Sequence, residues 1–182
     1  MTTALLLVDL QNDYFPGGKM ELSGIETAAE NTAAVLESFR KRNYPVIHIQ
    51  HFSRKPGATF FLPETTGVEI HEKVAPKTSE TVISKNFPNS FRDTKLETVL
   101  RDLGVKDLVV CGAMTHMCID STVRAAFDLG FNCAVAGDCC ATRDLPAPDG
   151  STVNALHVQN AFLAALGSVF ARICSGTEVC QS

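Results

Sequence analysis

The chain has 182 residues, 45% of them hydrophobic and 20% charged, and a formal net charge of −4. This length fits one domain that folds without disulfides or metal, and the weakly acidic balance leaves no basic face for nucleic acid or anionic lipid. No apolar run approaches the ~20 residues of a membrane span, and the first ten residues do not resemble a signal peptide. We therefore expect one cytoplasmic domain over residues 1–182, with no nucleic-acid or membrane partner.

Six apolar runs alternate with stretches of helical periodicity along the chain. The runs at 4–10, 46–50, 81–84, 108–111, 131–136 and 171–174 are predicted strands, nearly all apolar as in a parallel sheet buried on both faces. Four helices are predicted between or after them; Ser23 with Glu26 forms a capping-box pattern, Asp93 is a candidate cap, and residues 151–170 form the longest helical pattern. The alternation predicts an α/β fold: a doubly wound, Rossmann-like three-layer sandwich with a mainly parallel sheet of five or six strands.

Two connections follow the first two strands. The loop after the first strand lacks the glycine-rich fingerprints that bind dinucleotides or nucleoside phosphates. Residues 51–80, after the second strand, show no strong period but contain prolines and an aromatic cluster. A connection of this length usually forms a lid, a binding loop or an oligomer contact.

The stretch 108–129, LVVCGAMTHMCIDSTVRAAFDL, passes almost directly from a strand into a helix. Gly112, Ala113 and Met114 are expected to form the turn, and Cys118 to fall in the first helical turn. Unpaired backbone N–H groups and the positive end of the helix dipole favour a thiolate at that position. Cys118 is therefore a candidate nucleophile, although most free cysteines are small buried hydrophobic residues.

Three polar side chains stand at or just after strand ends: Asp9, Lys85 and Cys118. The carboxyl ends of parallel strands share one edge of a sheet, and ligands bind in the crevice outside that edge. Taken singly, Asp9 could cap a turn and Lys85 could be a solvated charge. Together, the carboxylate can accept the thiol proton, and the ammonium can favour both the thiolate and the carboxylate.

Aromatic residues near this edge are predicted to wall a small, largely apolar pocket for a small-molecule substrate. Each of them could instead belong to the core. The candidates, with His116 added, are Phe15, Phe52, Phe60, Phe61, Phe87 and Phe91.

As a set, three motifs resemble the isochorismatase-like cysteine hydrolase superfamily, which includes nicotinamidases, N-carbamoylsarcosine amidohydrolases and ureidoacrylate or maleamate amidohydrolases. They are ALLLVDLQNDYF, SKNFPNSF and CGAMTHMCIDSTVRAAFDLGF, and the likeness covers essentially the whole chain. The resemblance implies that Asp9 is the general base and acid, Lys85 the orienting cation and Cys118 the nucleophile. It also implies a cis peptide between Ala113 and Met114, which would turn the Met114 N–H inward to form an oxyanion hole with the Cys118 N–H.

By this resemblance the chain is a cysteine-dependent hydrolase, without a cofactor, that cleaves a small amide, ureido or carbamoyl-type C–N bond through a thioester. The resemblance also suggests a homo-oligomer, either a dimer, a tetramer or a larger ring. Residues 51–80 are the expected place for the contact between subunits.

The sequence departs from the metal-binding nicotinamidases of this superfamily. Those enzymes resemble one another in an Asp-x-His motif straight after the second strand, whereas here His51 stands at the Asp and Ser53 at the His. We therefore expect no metal, and nicotinamide becomes a less favoured substrate. A zinc site on other residues fits no usual ligand spacing; the residues considered are Cys111, His116, Cys118, Cys139 and Cys140.

Three alternative functions stay open. Isochorismatases proper cleave a vinyl ether and typically lack the cysteine, but their A-H-x motif is close to residues 115–117 here. In a thiol redox protein, Cys118 would be a sensor or peroxidatic cysteine resolved by Cys111, Cys139 or Cys140. In a catalytically silent scaffold, the long loop would be an interface between subunits.

Overall fold

A computed structural model describes residues 2–181. Its central sheet has six parallel strands in the order β3-β2-β1-β4-β5-β8, and a separate short hairpin pairs β6 with β7. The sheet confirms the predicted α/β class and all six predicted strands. The strands are β1 (Thr2–Val8), β2 (Val46–His51), β3 (Thr81–Lys85), β4 (Val105–Ala113), β5 (Asn132–Ala141), β6 (Leu145–Pro146), β7 (Thr152–Val153) and β8 (Arg172–Cys174).

Helices cover both faces of this sheet, because alternate side chains of the nearly all-apolar strands point to opposite faces. On β1, Leu5 and Leu7 pack on the side of α1 and α5, whereas Leu6 and Val8 pack on the side of α2, α3 and α4. The helices are α1 (Ile25–Lys41), α2 (Leu96–Asp102), α3 (Asp120–Asp128), α4 (Ala155–Val169) and α5 (Gly176–Gln181). None of these helices is both long and apolar enough to cross a bilayer.

Gly112 allows β1 and β4 to approach closely just before the expected turn. A Cβ atom on this residue would lie 2.0 Å from the carbonyl oxygen of Val8, and its φ of +128° is one that L side chains rarely adopt. Because a glycine occupies this position, β4 stays paired with β1 as far as Gly112 and then with β5 at Ala113. Gly112 and Ala113, which were expected in the turn, therefore belong to the strand.

The two predicted helix caps were wrong. Gly24 precedes α1 with a left-handed φ of 73°, and Ser23 pairs through its backbone with Thr142 instead of capping the helix. At α2 the Thr94 hydroxyl accepts the hydrogen bond from the Leu96 N–H, at 3.2 Å. Asp93 is not part of that cap. The first capping pattern was overridden by pairing with the distant Thr142, and the second by the neighbouring Thr94.

The C-terminal third also differs from the prediction in its detail. β5 is longer than the apolar run at 131–136, since it continues through Cys139 and Cys140 to Ala141. α4 begins at Ala155 rather than Ser151, because the Asn154 side chain caps it by accepting from the His157 N–H. The short hairpin before α4 and the terminal helix α5 were not predicted from the sequence.

Candidate active site

The sheet order places one chemically active side chain from each of five neighbouring strands along the carboxyl edge. In order across the sheet, Lys85 ends β3, His51 ends β2, Asp9 follows β1, Cys118 follows β4 and Arg143 follows β5. Asp9, Lys85 and Cys118 therefore converge, although they are far apart in sequence. Because β2 lies between β1 and β3, its last residue, His51, lies beside Asp9 and Lys85.

The Lys85 ammonium is the centre of this group. Its Nζ atom lies 2.7 Å from Asp9 Oδ2, 2.9 Å from His51 Nδ1 and 3.2 Å from Cys118 Sγ, and it donates to the Phe87 carbonyl oxygen at 3.1 Å. Burial acts to lower the pKa of Lys85, but the charge of Asp9 and the contacts with Asp9 and Cys118 outweigh burial and raise it. The side chain is therefore a buried, fully charged cation.

Asp9 is completely buried and leaves β1 in a left-handed conformation, with φ of 53°. The Asp9 carboxylate and the Lys85 ammonium form an ion pair, but the angle between the two groups is not that of a hydrogen bond. Neither carboxylate oxygen accepts a hydrogen bond from any described residue. Buried polar atoms are rarely left in this state. The lone pairs of Asp9 are thus available to take a proton from a neighbouring group.

Cys118 lies in a wide turn between β4 and α3. Residues Thr115–Ile119 form one π-helical turn, in which the Ile119 N–H donates to the Met114 carbonyl oxygen at 3.2 Å. Single π-turns of this kind often occur at functional sites. The thiol is 4% exposed and lies at the wall of a cavity.

The expectation that this position favours a thiolate was wrong for the resting site. Burial, followed by the negative charge of Asp9, raises the pKa of the Cys118 thiol, and the Lys85 ammonium offsets only part of this increase. Burial disfavours a charged sulfur whatever the direction of the helix dipole. The resting group is therefore a thiol.

The peptide bond between Ala113 and Met114 is cis and joins the end of β4 to the π-turn. Met114 and Cys118 both line the cavity. The oxyanion hole formed by their backbone N–H groups stays a prediction.

His51 is a residue of this group that sequence reasoning missed. Burial lowers its pKa to about 4; the charge of Asp9 opposes this change and that of Lys85 reinforces it. The ring is therefore neutral near pH 7. Since Nδ1 lies 2.9 Å from a charged ammonium, Nδ1 accepts and the ring proton is on Nε2. The sequence shows that His51 stands at the end of the second strand. It does not show that this strand lies between the strands that carry Asp9 and Lys85.

A cavity of about 670 Å³ opens above this group. Aromatic and methionine side chains form its apolar wall, and cations lie along the remainder. Ser53 and Asn86 add neutral polar groups. The apolar and cationic lining residues include Tyr14, Met20, Phe60, Phe61, Met114, Met117, Arg54, Lys55 and Arg143.

Of the seven pocket candidates from the sequence, the structure places Phe60 and Phe61 in the cavity wall and the other five outside it. Phe15 is buried and stacks on His71 with ring centroids 3.6 Å apart. Phe52 is held to the end of β3 through its backbone, and its ring packs against the core on the α1 side of the sheet.

The remaining candidates have other partners. The guanidinium of Arg92 covers the Phe87 ring at 3.6 Å, so only the Phe87 carbonyl reaches the site, through Lys85. Phe91 stacks on the ring of Phe131 in the core. His116 Nδ1 lies 2.5 Å from Thr142 Oγ1, which directs this ring toward the end of β5 instead of the cavity.

The donor atoms of Asp9, His51 and Cys118 lie within 4.8 Å of one another and could in principle hold a metal ion. The Lys85 ammonium already lies 2.7 to 3.2 Å from each of them, so this cluster has a cation of its own. Among the described residues, the zinc combination considered from the sequence does not form, and the seven cysteines are free thiols.

The site can be compared with those of known proteins. The model of the isochorismatase domain matches residues 3–167. YddQ of Bacillus subtilis (strain 168), an uncharacterized isochorismatase family protein, is 54% identical over 95% of this chain and 96% of its own. A streptothricin hydrolase of Streptomyces noursei is 36% identical over 90% of this chain and 59% of its own. The crystal structure of a protein from Oleispira antarctica described as an isochorismatase hydrolase superposes with a TM-score of 0.95, at 49% identity, covering 100% and 97% of the two chains.

Proposed function

The chain belongs to the isochorismatase family of hydrolases, and we propose that it is a cysteine-dependent amidohydrolase that cleaves the C–N bond of a small amide, ureido or carbamoyl compound. One observation carries the proposal: the buried Lys85 ammonium contacts both the Cys118 sulfur and a carboxylate with free lone pairs, at the wall of a cavity. More distant relatives, 28% and 27% identical, are named nicotinamidase 3 (Arabidopsis thaliana) and ureidoacrylate amidohydrolase (Azorhizobium caulinodans).

The first half of the reaction forms a thioester. Asp9 accepts the Cys118 proton as the sulfur attacks the substrate carbonyl carbon, and the N–H groups of Met114 and Cys118 stabilise the oxyanion. When the tetrahedral intermediate collapses, the C–N bond breaks and Asp9 returns the proton to the leaving nitrogen. Coupling sulfur attack to proton transfer suits a thiol whose resting pKa is raised.

The second half hydrolyses the thioester. Asp9, again a carboxylate, accepts a proton from a water molecule that attacks the same carbonyl carbon, and the C–S bond then breaks. The proton passes from Asp9 to the leaving sulfur, which restores the resting thiol and releases the acid product. Lys85 stays charged throughout and stabilises whichever of Asp9 and Cys118 is negative. Neutral His51 accepts a hydrogen bond from the Lys85 ammonium and does not compete with Asp9 for the proton of Cys118.

The test is to trap the acyl-enzyme. The protein is mixed with a panel of small amides, ureas and carbamoyl compounds, quenched rapidly and analysed by peptide mass spectrometry, with ammonia release as the turnover assay. We expect an acyl adduct on Cys118 in the wild type, none in Cys118→Ala, and an unchanged result in the matched control Cys180→Ala. If Cys118→Ala turned over an amide as fast as the wild type, the proposal would be wrong. Turnover of isochorismate by Cys118→Ala would instead favour vinyl ether hydrolysis.

We also propose that the protein is a homo-oligomer, as its resemblance to the family suggests, with the contact between subunits formed by residues 51–80. Gel filtration should give a multiple of 19.6 kDa, and a clean monomer would contradict the oligomer.

A further inference from the structure

The pairing between β4 and β5 shifts register beside the active site. Val110 pairs with Val135, whereas Gly112, two residues later in β4, pairs with Cys140, five residues later in β5. Residues 136–139 of β5, the bulge, therefore lie opposite a single residue of β4. Irregularities of this kind are common next to active sites. Carbonyl groups of the bulge that have no partner in β4 need hydrogen bonds from elsewhere in the fold.

The side chain of Gln159, on α4, holds this bulge. Its Nε2 atom donates to the carbonyl oxygens of Gly137 and Cys140, at 3.0 and 3.1 Å. Because both amide protons are used in this way, Oε1 is left to accept from the Thr115 hydroxyl, which lies 2.6 Å away. The Thr115 hydroxyl also lies 3.2 Å from the Ala141 carbonyl oxygen, but its single proton belongs to the shorter contact. Gln159 thus joins the bulge to Thr115.

Thr115 is the first residue of the π-turn that carries Cys118, and it is completely buried. It directly follows Met114, whose N–H group belongs to the oxyanion hole of the proposed mechanism. The Met114 carbonyl oxygen accepts from the N–H groups of Met117 and Ile119, at 3.0 and 3.2 Å. A change in the orientation of Thr115 would therefore move both N–H groups of the oxyanion hole, and a displacement of about 1 Å can lower a rate about 100-fold.

We propose that Gln159 is a positioning residue, which holds the two N–H groups of the oxyanion hole in place through Thr115 and does not touch the substrate. Neither Thr115 nor Gln159 lines the cavity, and no other described residue of α4 does. This inference rests on the proposed function and extends its machinery to a helix outside the cavity. Because Gln159 and Thr115 form one unit, the loss of either should have the same effect, and the loss of both should add little.

Steady-state ammonia release separates this role from plain support of the fold. Gln159→Met and Thr115→Val keep the approximate size of each side chain and remove its hydrogen bonds. Each should lower kcat and kcat/KM together by about 10- to 100-fold, because only the transition state uses the oxyanion hole. The double variant should lie within about threefold of the single variants. Thr115→Ser, which keeps the hydroxyl, should retain at least about a third of kcat.

The matched control is Asn31→Leu. Asn31 is on α1, and its side-chain amide donates to the Asp138 carbonyl oxygen of the same bulge, at 2.9 Å, from the opposite face of the sheet. This substitution removes a hydrogen bond to the bulge but none to Thr115. It should therefore change kcat by less than about twofold.

Hydrogen exchange gives a second readout, which does not depend on turnover. The N–H groups of residues 115–119, followed by NMR, should exchange about tenfold faster in Gln159→Met and Thr115→Val than in the wild type, with an unchanged circular dichroism spectrum. Asn31→Leu should leave this exchange unchanged. If Gln159→Met fails to fold, Thr115→Val compared with Thr115→Ser decides the same question.

The outcomes separate the two proposals. If the wild type hydrolyses an amide and Gln159→Met keeps its kcat, or if Asn31→Leu shares the loss, the role assigned to Gln159 is wrong. If the wild type forms no acyl-enzyme with any compound, the cysteine mechanism fails and hydrogen exchange alone decides on Gln159. Faster exchange would then support Gln159 as the residue that holds the turn, and unchanged exchange would reject it.

Discussion

Two buried clusters of similar composition lie at opposite ends of the same strand. In each, a histidine of β2 approaches a cation and a carboxylate: His51 with Lys85 and Asp9 at the carboxyl end, and His48 with Arg40 and Glu80 toward the other end. Chemical composition alone therefore does not distinguish a catalytic cluster from a structural one. The difference lies in how the carboxylate is satisfied.

In the second cluster every Glu80 oxygen has a partner. Oε1 accepts from Arg40 at 2.7 Å, and Oε2 accepts from Arg40 at 2.9 Å and from the Lys77 N–H at 2.8 Å, with His48 at 3.0 Å. Burial raises the pKa of Glu80, but these hydrogen bonds outweigh it and lower the pKa to about 2. Such a carboxylate has no capacity left to accept a proton near pH 7 and serves to hold α1 to the sheet.

In the first cluster the carboxylate is not satisfied in this way. Asp9 has a charge partner but no hydrogen bond from the described residues, and the sulfur beside it faces a cavity. A carboxylate with unused lone pairs next to a thiol is suited to proton transfer. The two unsatisfied oxygens of Asp9 thus lie where a reaction could use them.

The largest expected effect is on activity, and it should occur in the Asp9 cluster but not in the Glu80 cluster. Asp9→Asn should lower kcat/KM by about 10³-fold, because an amide cannot accept the thiol proton. The matched variant Glu80→Gln should change kcat/KM by less than about threefold. Steady-state ammonia release with the best amide substrate measures both. Comparable losses in the two variants would show that the clusters do not differ in function.

The sequence was sufficient for the part of the site that follows directly from strand ends. Asp9 and Lys85 stand at the ends of apolar runs, so a parallel sheet brings them to one edge whatever the order of its strands. His51 also follows a predicted strand, but its place between Asp9 and Lys85 depends on the order of the strands, as does the distance of Arg143 from Cys118. That order is set by long-range packing, which no single segment of sequence contains.

The residues of the cavity wall and the charge of Cys118 were less predictable, because both depend on the surroundings of each side chain in the fold. Phe15 and Phe87 were as plausible as Phe60, but loop conformation turned one ring onto His71 and placed the other under Arg92. The dipole at the helix start favours a thiolate locally, yet burial and a neighbouring carboxylate dominate the pKa of Cys118. Both depend on three-dimensional surroundings.

The second prediction concerns stability, for which the larger effect is expected in the cluster of Glu80. Glu80→Gln should lower the free energy of unfolding by about 2 kcal/mol, because Arg40 loses a largely buried partner. The matched control is Glu30→Gln, whose ion pair with Lys73 is exposed, so its loss should leave the free energy of unfolding nearly unchanged. Urea unfolding of the three proteins gives both values. Equal stabilities would remove the structural role of Glu80.

The third prediction uses the raised pKa of the nucleophile. At pH 7 the resting Cys118 thiol should react with iodoacetamide more slowly than free N-acetylcysteine. In Asp9→Asn the reaction should speed up by about tenfold, because a negative charge that raises the pKa of Cys118 is removed while Lys85 remains. Alkylation is followed by mass spectrometry. A wild-type thiol that reacts faster than N-acetylcysteine would restore the thiolate predicted from the helix start.

The last expected effect is a slope of stability with pH that comes from His51. Its pKa is about 4 in the folded protein, against an ordinary value of 6.5, so between these values the unfolded chain binds a proton that the folded protein does not. The stability from the neutral ring is therefore complete above pH 6.5 and is lost as the pH falls toward 4, with a slope of up to about 1.4 kcal/mol per pH unit. His51→Gln should flatten that part of the curve, measured by urea unfolding at several pH values. The acid loss due to Glu80, between pH 4.5 and about 2, should persist in that variant. If His51→Gln left the slope above pH 4 unchanged, the ring would not be held neutral beside Lys85, and the site would contain two positive charges next to Asp9.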